Sequence, residues 1–462
     1  MPRRGVFVSG FGLFFCACLV AGAKPPRAEI SAARISLAGD IGDTNAAASA
    51  RAHASGPGII THYTLPPDKY AKARHLGRLD LILYFVDTLY GIFALLLILR
   101  LRLAPLFRDW AERATRFSIF QVAIFTPLLI LTLGFLELPV SIYGHHLSLI
   151  YGLSIQHWGS WAWDWTKDQG VNWIIASVVV CILYMLIRRS PRRWWFYFWL
   201  ALIPLGALML FLQPLVVDPL FHKFEPLSRT DSALVTALEQ VSQRAGHRIP
   251  PERMFLMRAS EKSTVLNAYV TGLGGSKRIV VYDNTIARMT TPQIAFTFGH
   301  EMGHYVLGHV TEGFVFGLAL AFAGLLLAHR IFGWTLAHWS SAWGIRDAGD
   351  LASLPVMLLL LSVTGFFIAP IANSFSRHIE HQADVYGLEI THGLTFDSTQ
   401  VAAQAFQILG EVDLDDPAPS RFARFWLYSH PSIGDRIIFA LHYDPWDARV
   451  PPQYVPANAQ PR

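Results

Sequence analysis

The sequence has few charged residues. Asp, Glu, Lys and Arg make up 15% of its 462 residues, while 53% are hydrophobic. Soluble domains carry about 25% charged residues, so this shortage argues against an ordinary soluble protein and indicates a membrane protein. The net charge of +5 is spread over short Arg clusters and forms no long basic stripe. Nucleic-acid binding is therefore not expected, and the clusters are typical of signals that set membrane topology.

Cysteine is also scarce. The chain contains only Cys16, Cys18 and Cys181, and no pair has the Cys-x-x-Cys spacing of a zinc or redox site. Disulfides are not expected, and any bound metal must be held by His and carboxylate side chains.

The two chain ends differ in pattern from the rest. Two arginines precede an apolar run that ends at Ala21, and Gly22 and Ala23 follow, which is typical of a cleaved signal peptide over residues 1–23. An uncleaved anchor helix is the alternative. Residues 24–66 are rich in Ala, Gly, Ser and Pro and predict a flexible linker. The Pro-rich tail, 448–462, is predicted to be disordered.

Six apolar runs are long enough to cross a bilayer, and they predict membrane helices in segments 67–217 and 314–375. The runs cover 79–100, 117–136, 172–188, 194–217, 314–333 and 351–372. The loops 100–116 and 188–193 contain nine Arg residues, whereas the Trp-rich loop 137–171 contains one Lys and no Arg. The positive-inside rule then places the Arg-rich loops in the cytoplasm and segment 218–313 outside. With a signal-like start, this predicts a bacterial inner-membrane protein whose segment 218–313 faces the periplasm.

Segment 218–313 is the one extended polar region. Its pattern predicts an amphipathic helix, three short strands separated partly by a turn at Gly272, Gly274 and Gly275, and a helix that opens at Thr291-Pro292. The helix is expected over 231–246 and the strands over 254–257, 267–271 and 278–282. A helix, a small sheet and a second helix in this order suit a zincin-type α+β core.

The second of these helices carries the pattern His300-Glu301-Met-Gly-His304. Residues four apart share a helix face, so His300 and His304 can bind one metal ion while Glu301 polarises a metal-bound water. A catalytic zinc needs a third protein ligand and an open position. Glu380 and Asp384 are candidates because one can bind zinc while the other accepts a hydrogen bond from a zinc-binding histidine. The alternatives are a helix with two surface histidines and an ordinary charged helix end.

An HExxH motif, two spans and a Glu-x-x-Ala-Asp sequence together resemble the M48 family of integral membrane metallopeptidases, in the branch of CAAX prenyl protease 1 or Ste24. Further stretches between residues 69 and 443 support the resemblance, namely 69–74, 217–221, 224–227, 267–272, 277–285 and 429–432 with Arg436. The resemblance implies a mainly α, polytopic helical barrel that encloses a chamber. It would have six spans, or seven if the N-terminal helix is retained. The zincin-like core would comprise 218–313 and 376–447.

The resemblance also implies a role for each site residue. His300, His304 and Glu380 would bind one Zn²⁺ per chain, Glu301 would be the general base, and Asp384 would support a histidine ligand.

Three residues would act on the substrate. Asn267 would bind the substrate backbone, Tyr269 would border the cleft, and His430 would stabilise the oxyanion. From the residues alone, the favoured interpretations are a turn residue for Asn267 and a structural histidine before proline for His430. His309, five residues after His304, is interpreted as a non-ligand.

The expected function is that of a zinc endopeptidase which cleaves extended segments of peptides or membrane proteins through a Glu301-activated, zinc-bound water. The expected partners are such substrates and the bilayer, with no nucleic acid and no organic cofactor. One alternative is a transporter or scaffold with a structural metal, closed by a fourth ligand such as His309 or His430. Another is a true CAAX prenyl protease. An outward-facing site argues against cytosolic prenylated substrates.

Overall fold

The computed structural model describes residues 58–272 and 277–455. The predicted signal peptide or anchor (1–23), linker residues 24–57, Gly274, Gly275 and tail residues 456–462 lie outside the described residues.

Six long apolar helices of membrane-spanning length form most of the described chain, as the hydropathy pattern predicts. In chain order, the helices between residues 67 and 212 are α1 (Pro67–Arg100), the short α2 (Leu103–Ala114), α3 (Ser118–Tyr151), α4 (Trp158–Arg189) and α5 (Trp194–Leu212). A π-helical turn, Gln213–Val217, continues α5 into α6 (Asp218–Phe221). The last two spans are α10 and α11, whose bounds follow below.

The prediction of a loop over the Trp-rich residues 137–171 is wrong. Helix α3 continues to Tyr151 and α4 begins at Trp158, so only residues 152–157 connect them. A 34-residue helix is about 51 Å long, whereas the hydrocarbon core is about 30 Å thick, so both helices project beyond the membrane. The end near residues 152–157 contacts the extramembrane part of the protein: the Ile155 N–H of the connection donates to the Lys262 carbonyl (3.1 Å), and Asp164 of α4 pairs with the Lys262 ammonium (2.6 Å). Loop charge reports the side of the membrane but not whether a segment is helical.

Segment 218–313 forms a four-stranded sheet between helices. The elements are β1 (Phe224–Pro226), α7 (Ser232–Arg244), β2 (Met254–Met257), β3 (Ala268–Thr271), β4 (Arg278–Tyr282), α8 (Asp283–Arg288) and α9 (Thr291–Val306). The strand order is β1-β2-β4-β3, with only the β2–β4 pair parallel. Strand β3 is thus an edge strand, and it lies beside α9.

The remaining helices complete the second half of the chain. They are α10 (His309–Trp343), α11 (Leu354–Thr391), α12 (Ser398–Val412), α13 (Arg421–Trp426) and α14 (Ile433–His442). The extramembrane core is an apolar cluster to which α7, the sheet, α9, the end of α11, α12 and α14 all contribute. The fold is therefore mainly α, as expected, and the described residues contribute six spans and a small α+β core.

The Arg-rich loops meet at the opposite end of the helix bundle. Arg108 pairs with the buried Asp350 (2.5 Å), and the Arg188 Nε–H donates to the Gly349 carbonyl (2.9 Å). The loops that follow α1, α4 and α10 are therefore neighbours. The loop 152–157 contacts the extramembrane core instead. The two Arg-rich loops consequently lie at the end away from that core.

Two segments with the composition of flexible chain pack against this core. Residues 58–66, assigned above to the linker, lie along α12. There the side-chain amide of Gln400 bonds the main-chain N–H and C=O of Ile60, and that of Gln407 bonds those of Thr64. Near the other terminus, the buried carboxylate of Glu389 accepts the main-chain N–H groups of residues 453–455. Composition does not reveal such partners, because they come from side chains far away in sequence.

Candidate metal centre

Helix α9, which carries the HExxH motif, has clear limits. It begins with a capping box, in which the Thr290 N–H donates to the side chain of Gln293 (2.9 Å), and Pro292 occupies its first turn. It ends just before Gly308, whose φ of +76° favours glycine. Its apolar face, including Phe298 and Met302, is fully buried. These features hold the two histidines on a rigid, fixed element.

Small residues bring α9 and α11 into close contact. A Cβ atom added at Gly303 would lie 2.9 Å from Tyr386 Cβ and 3.2 Å from Ala383 Cα. One added at Gly387 would lie 3.1 Å from the main-chain nitrogen of His300. A bulkier residue at either position would push the helices apart. The close approach carries Glu380, at the preceding turn of α11, to the histidine face of α9.

His300, His304 and Glu380 form a candidate metal-binding group. One ligand atom from each lies within 4.8 Å of the others, and no other such group of three occurs among the described residues. His300 Nε2 is 3.3 Å from Glu380 Oε2, and His304 Nε2 is 3.6 Å from Glu380 Oε1. Glu380 Oε2 is buried without a hydrogen-bond partner. Two imidazole nitrogens and an unpartnered buried carboxylate oxygen fit a divalent transition metal.

Asp384 supports His300 from the side away from this group. His300 Nδ1 lies 2.8 Å from Asp384 Oδ1, and Arg436 bonds both oxygens of the same carboxylate. Asp384 and Arg436 are almost fully buried. An ionised Asp384 accepts the Nδ1–H of His300, which leaves the Nε2 lone pair facing Glu380. Burial lowers the pKa of His300, but the nearby carboxylates of Asp384 and Glu380 outweigh it and raise the pKa to about 9. Without a metal these carboxylates favour the protonated ring, and a bound metal cation would take the place of the Nε2 proton.

Glu301 is the half-buried carboxyl group beside this site. Burial is the main cause that raises its pKa, to about 7, and the neighbouring Glu380 adds to the effect. A carboxyl group that titrates near neutrality can accept a proton and release it again.

The three predicted substrate residues have different surroundings. His430 Nε2 lies 2.9 Å from Glu380 Oε1, so it meets the metal-binding group. Asn267 directly precedes β3, and its main-chain N–H and C=O both bond the Thr285 hydroxyl (2.8 Å each). The ring of Tyr269 packs with Tyr282 at 6.4 Å between centroids, and its buried hydroxyl has no hydrogen-bond partner.

His309 has a contact that the sequence reasoning did not foresee. Its Nδ1 is 3.0 Å from Nδ1 of His304, the ring nitrogen away from Glu380. Neither His309 nor His430 belongs to the group of three, so the geometry does not favour a closed, four-ligand structural site. Arg436 is part of the resemblance, but the sequence assigns it no role. Its position six residues after His430 does not indicate that it contacts Asp384.

Known proteins match most of this chain. Residues 228–443 match the family model described as Peptidase family M48, and residues 50–223 match that of the CAAX prenyl protease N-terminal, five membrane helices. The chain is 33% identical over 373 residues to an uncharacterized metalloprotease, YhfN, of Bacillus subtilis (strain 168), covering 81% of this chain and 85% of that protein.

Two yeast proteins are more distant. CAAX prenyl protease 1 of Saccharomyces cerevisiae is 24% identical over 341 residues, which cover 71% of this chain and 73% of that protein. The crystal structure of S. mikatae Ste24p has a TM-score of 0.71 at 23% identity, over 82% of this chain and 90% of that one. This likeness shows a shared fold. The His-His-Glu group, the six spans and these matches lead to one conclusion: the chain belongs to peptidase family M48 and is a multi-pass membrane metalloprotease.

Proposed function

We propose that the protein is a zinc endopeptidase that cleaves extended segments of peptides or membrane proteins, with its active site on the periplasmic side of a bacterial inner membrane. The observation that carries the proposal is the convergence of His300, His304 and Glu380 beside the carboxyl group of Glu301. This donor set of two imidazoles and one carboxylate is typical of catalytic zinc and leaves a coordination position open.

His300, His304 and Glu380 would hold the ion. Zinc in such a site makes a water molecule more acidic and polarises a peptide carbonyl. Glu301 accepts the proton of the attacking water at its carboxylate and later delivers it to the leaving amine. Asp384 and Arg436 keep His300 oriented throughout.

His430 and β3 would serve the substrate. The His430 ring lies next to Glu380, and a ring N–H there can donate to the oxygen of a scissile carbonyl as negative charge develops. Strand β3 pairs with β4 on one side only, so its other edge can bind an extended chain by main-chain hydrogen bonds. Asn267, at the start of that edge, would bond the substrate backbone, with Tyr269 alongside.

The proposed orientation in the membrane rests on the positive charge of the loops. The arginine-containing loops cluster at one end of the bundle and the metal group lies toward the other. Basic loops are retained in the cytoplasm, so the metal group would face the periplasm. The name CAAX prenyl protease 1 belongs to the yeast relative, and cytosolic prenylated substrates would not reach a site on this side.

The mechanism is tested with Glu301→Gln, and Glu312→Gln serves as a control because Glu312 is an exposed glutamate on α10. Each variant is purified in detergent and assayed with internally quenched, unstructured peptides, and its zinc content is measured. Glu301→Gln should lose at least about 100-fold in hydrolysis, the lower range for a general base, and retain one zinc per chain. Glu312→Gln should match the wild type. Wild-type turnover by Glu301→Gln would refute the mechanism.

The orientation is tested with single cysteines in a background that lacks Cys16, Cys18 and Cys181. Glu252→Cys, on the exposed surface before β2, should react with an impermeant thiol reagent in intact spheroplasts. Arg192→Cys, exposed in the turn between α4 and α5, should react only after lysis. The reverse pattern would turn the active site to the cytosol and favour a CAAX-type role.

A further inference from the structure

His304 is held by a chain of hydrogen bonds on the side away from the metal-binding group. His304 Nδ1 is 3.0 Å from His309 Nδ1, and His309 Nε2 is 3.0 Å from Gln382 Oε1. Only 1% of the His309 surface is exposed, so these contacts are shielded from solvent.

The donor and acceptor in each hydrogen bond of this series follow from Gln382. The Oε1 atom of an amide accepts hydrogen bonds and cannot donate, so His309 must carry its proton on Nε2. A neutral His309 then has a lone pair on Nδ1, which can only accept from the Nδ1–H of His304. His304 is left with its lone pair on Nε2, the atom 3.6 Å from Glu380 Oε1.

We propose that His309 and Gln382 are positioning residues that set the ring orientation and tautomer of His304 for metal binding. This inference rests on the proposed zinc site. The reversed chain, with the Gln382 amide group donating to His309, would place a proton on His304 Nε2 and block the metal. The arrangement parallels that of His300, whose Nδ1 contacts Asp384. Thus one ligand is oriented by a charged pair and the other by a neutral relay.

Gln382 lies between Glu380 and Asp384 on α11, and the C-terminal segment is attached further along the same helix. The main-chain N–H groups of residues 453–455 donate to Glu389, seven residues and about two helical turns beyond Gln382. This attachment holds the C-terminal segment against the last turns of α11.

Two matched pairs of substitutions test the relay. His309→Asn keeps an acceptor oxygen near the position of Nδ1. His309→Leu introduces a side chain of almost the same shape as asparagine but without an acceptor. Gln382→Glu keeps an acceptor for His309 Nε2–H, whereas the similarly sized Gln382→Met does not. The readout is the affinity for Zn²⁺ alone, measured by competition with a chromophoric chelator in the purified, detergent-solubilised full chain.

The leucine and methionine variants should bind Zn²⁺ about 10–100-fold more weakly, as for other residues that orient metal ligands. The asparagine and glutamate variants should stay within about threefold of the wild type. The His309→Leu/Gln382→Met double variant should be no weaker than the worse single variant, because both break one chain. Thermal unfolding of the metal-free proteins should differ little within each pair, which separates ligand orientation from packing.

The inference is overturned if His309→Leu and His309→Asn weaken Zn²⁺ binding equally, or if Gln382→Met binds Zn²⁺ as the wild type does. Either result would leave His309 as packing only. Failure of the proposed zinc site itself would look different, because the wild type would then bind no stoichiometric Zn²⁺ and Glu380→Ala would be indistinguishable from it.

Discussion

The close contact between α9 and α11 predicts that one methyl group added at Gly303 will weaken metal binding, although Gly303 is not itself a ligand. In Gly303→Ala the new Cβ would lie 2.9 Å from Tyr386 Cβ, whereas ordinary van der Waals contact begins at 3.4 Å. The helices must separate there by the difference, 3.4 minus 2.9, or 0.5 Å. The second contact, at 3.2 Å to Ala383 Cα, is to the main chain and cannot be relieved by rotating a side chain.

This shift exceeds what the ligands tolerate. Metal–ligand distances are held within about 0.2 Å, and Glu380 lies only three residues before Ala383. Overpacking a tight contact costs roughly 1–3 kcal/mol. Replacing a helical glycine by alanine returns about 1 kcal/mol through helix propensity. A net loss of up to about 2 kcal/mol in stability is therefore expected. Zn²⁺ affinity should fall at least about tenfold, because the histidines and Glu380 no longer meet at one point.

The assay compares Gly303→Ala with Gly333→Ala, a control on α10 where an added Cβ meets no atom within 4 Å. Zn²⁺ affinity is measured by chelator competition and stability by thermal unfolding, both in detergent. The control should keep wild-type affinity and unfold at the same or a slightly higher temperature. Wild-type Zn²⁺ binding by Gly303→Ala would show that the close approach does not position Glu380.

Two further outcomes follow from the site. Glu380→Ala should lose Zn²⁺ on dialysis against a chelator, and retention equal to the wild type would exclude Glu380 as the third ligand. Asp384→Ala should keep Zn²⁺ but bind it about 10–100-fold more weakly. It should also unfold at a lower temperature, because the buried Arg436 loses its partner, typically at a cost of about 3–5 kcal/mol; an unchanged melting temperature would contradict this.

Several features were predictable because they depend on short-range periodicity. The six spans follow from the length and apolar character of each run, and six such helices occur within residues 58–272 and 277–455. The strands at 254–257 and 278–282 follow from β-branched and apolar runs between turn signals, and they form with these bounds. His300 and His304 share a helix face because they are four residues apart.

Other features were missed because their partners lie far away in sequence. The linker and tail compositions suggested flexible chain, yet Gln400, Gln407 and Glu389 supply side-chain partners for the main-chain groups of 58–66 and 453–455. The loop predicted over 137–171 is mostly helix, because the ends of α3 and α4 continue beyond the apolar runs and contact the extramembrane core.

The sequence by itself determined which residues could bind a metal and which segments could enter a bilayer, since both depend on residue type and local spacing. It left open how Glu380 and Asp384 divide their roles, because both share one face of α11. Only the tertiary structure decided this: the glycines between α9 and α11 bring Glu380 toward the two Nε2 atoms and Asp384 to Nδ1 of His300. The contact of His309 with His304 was decided in the same way, because hydrogen-bond direction depends on which atoms meet in space.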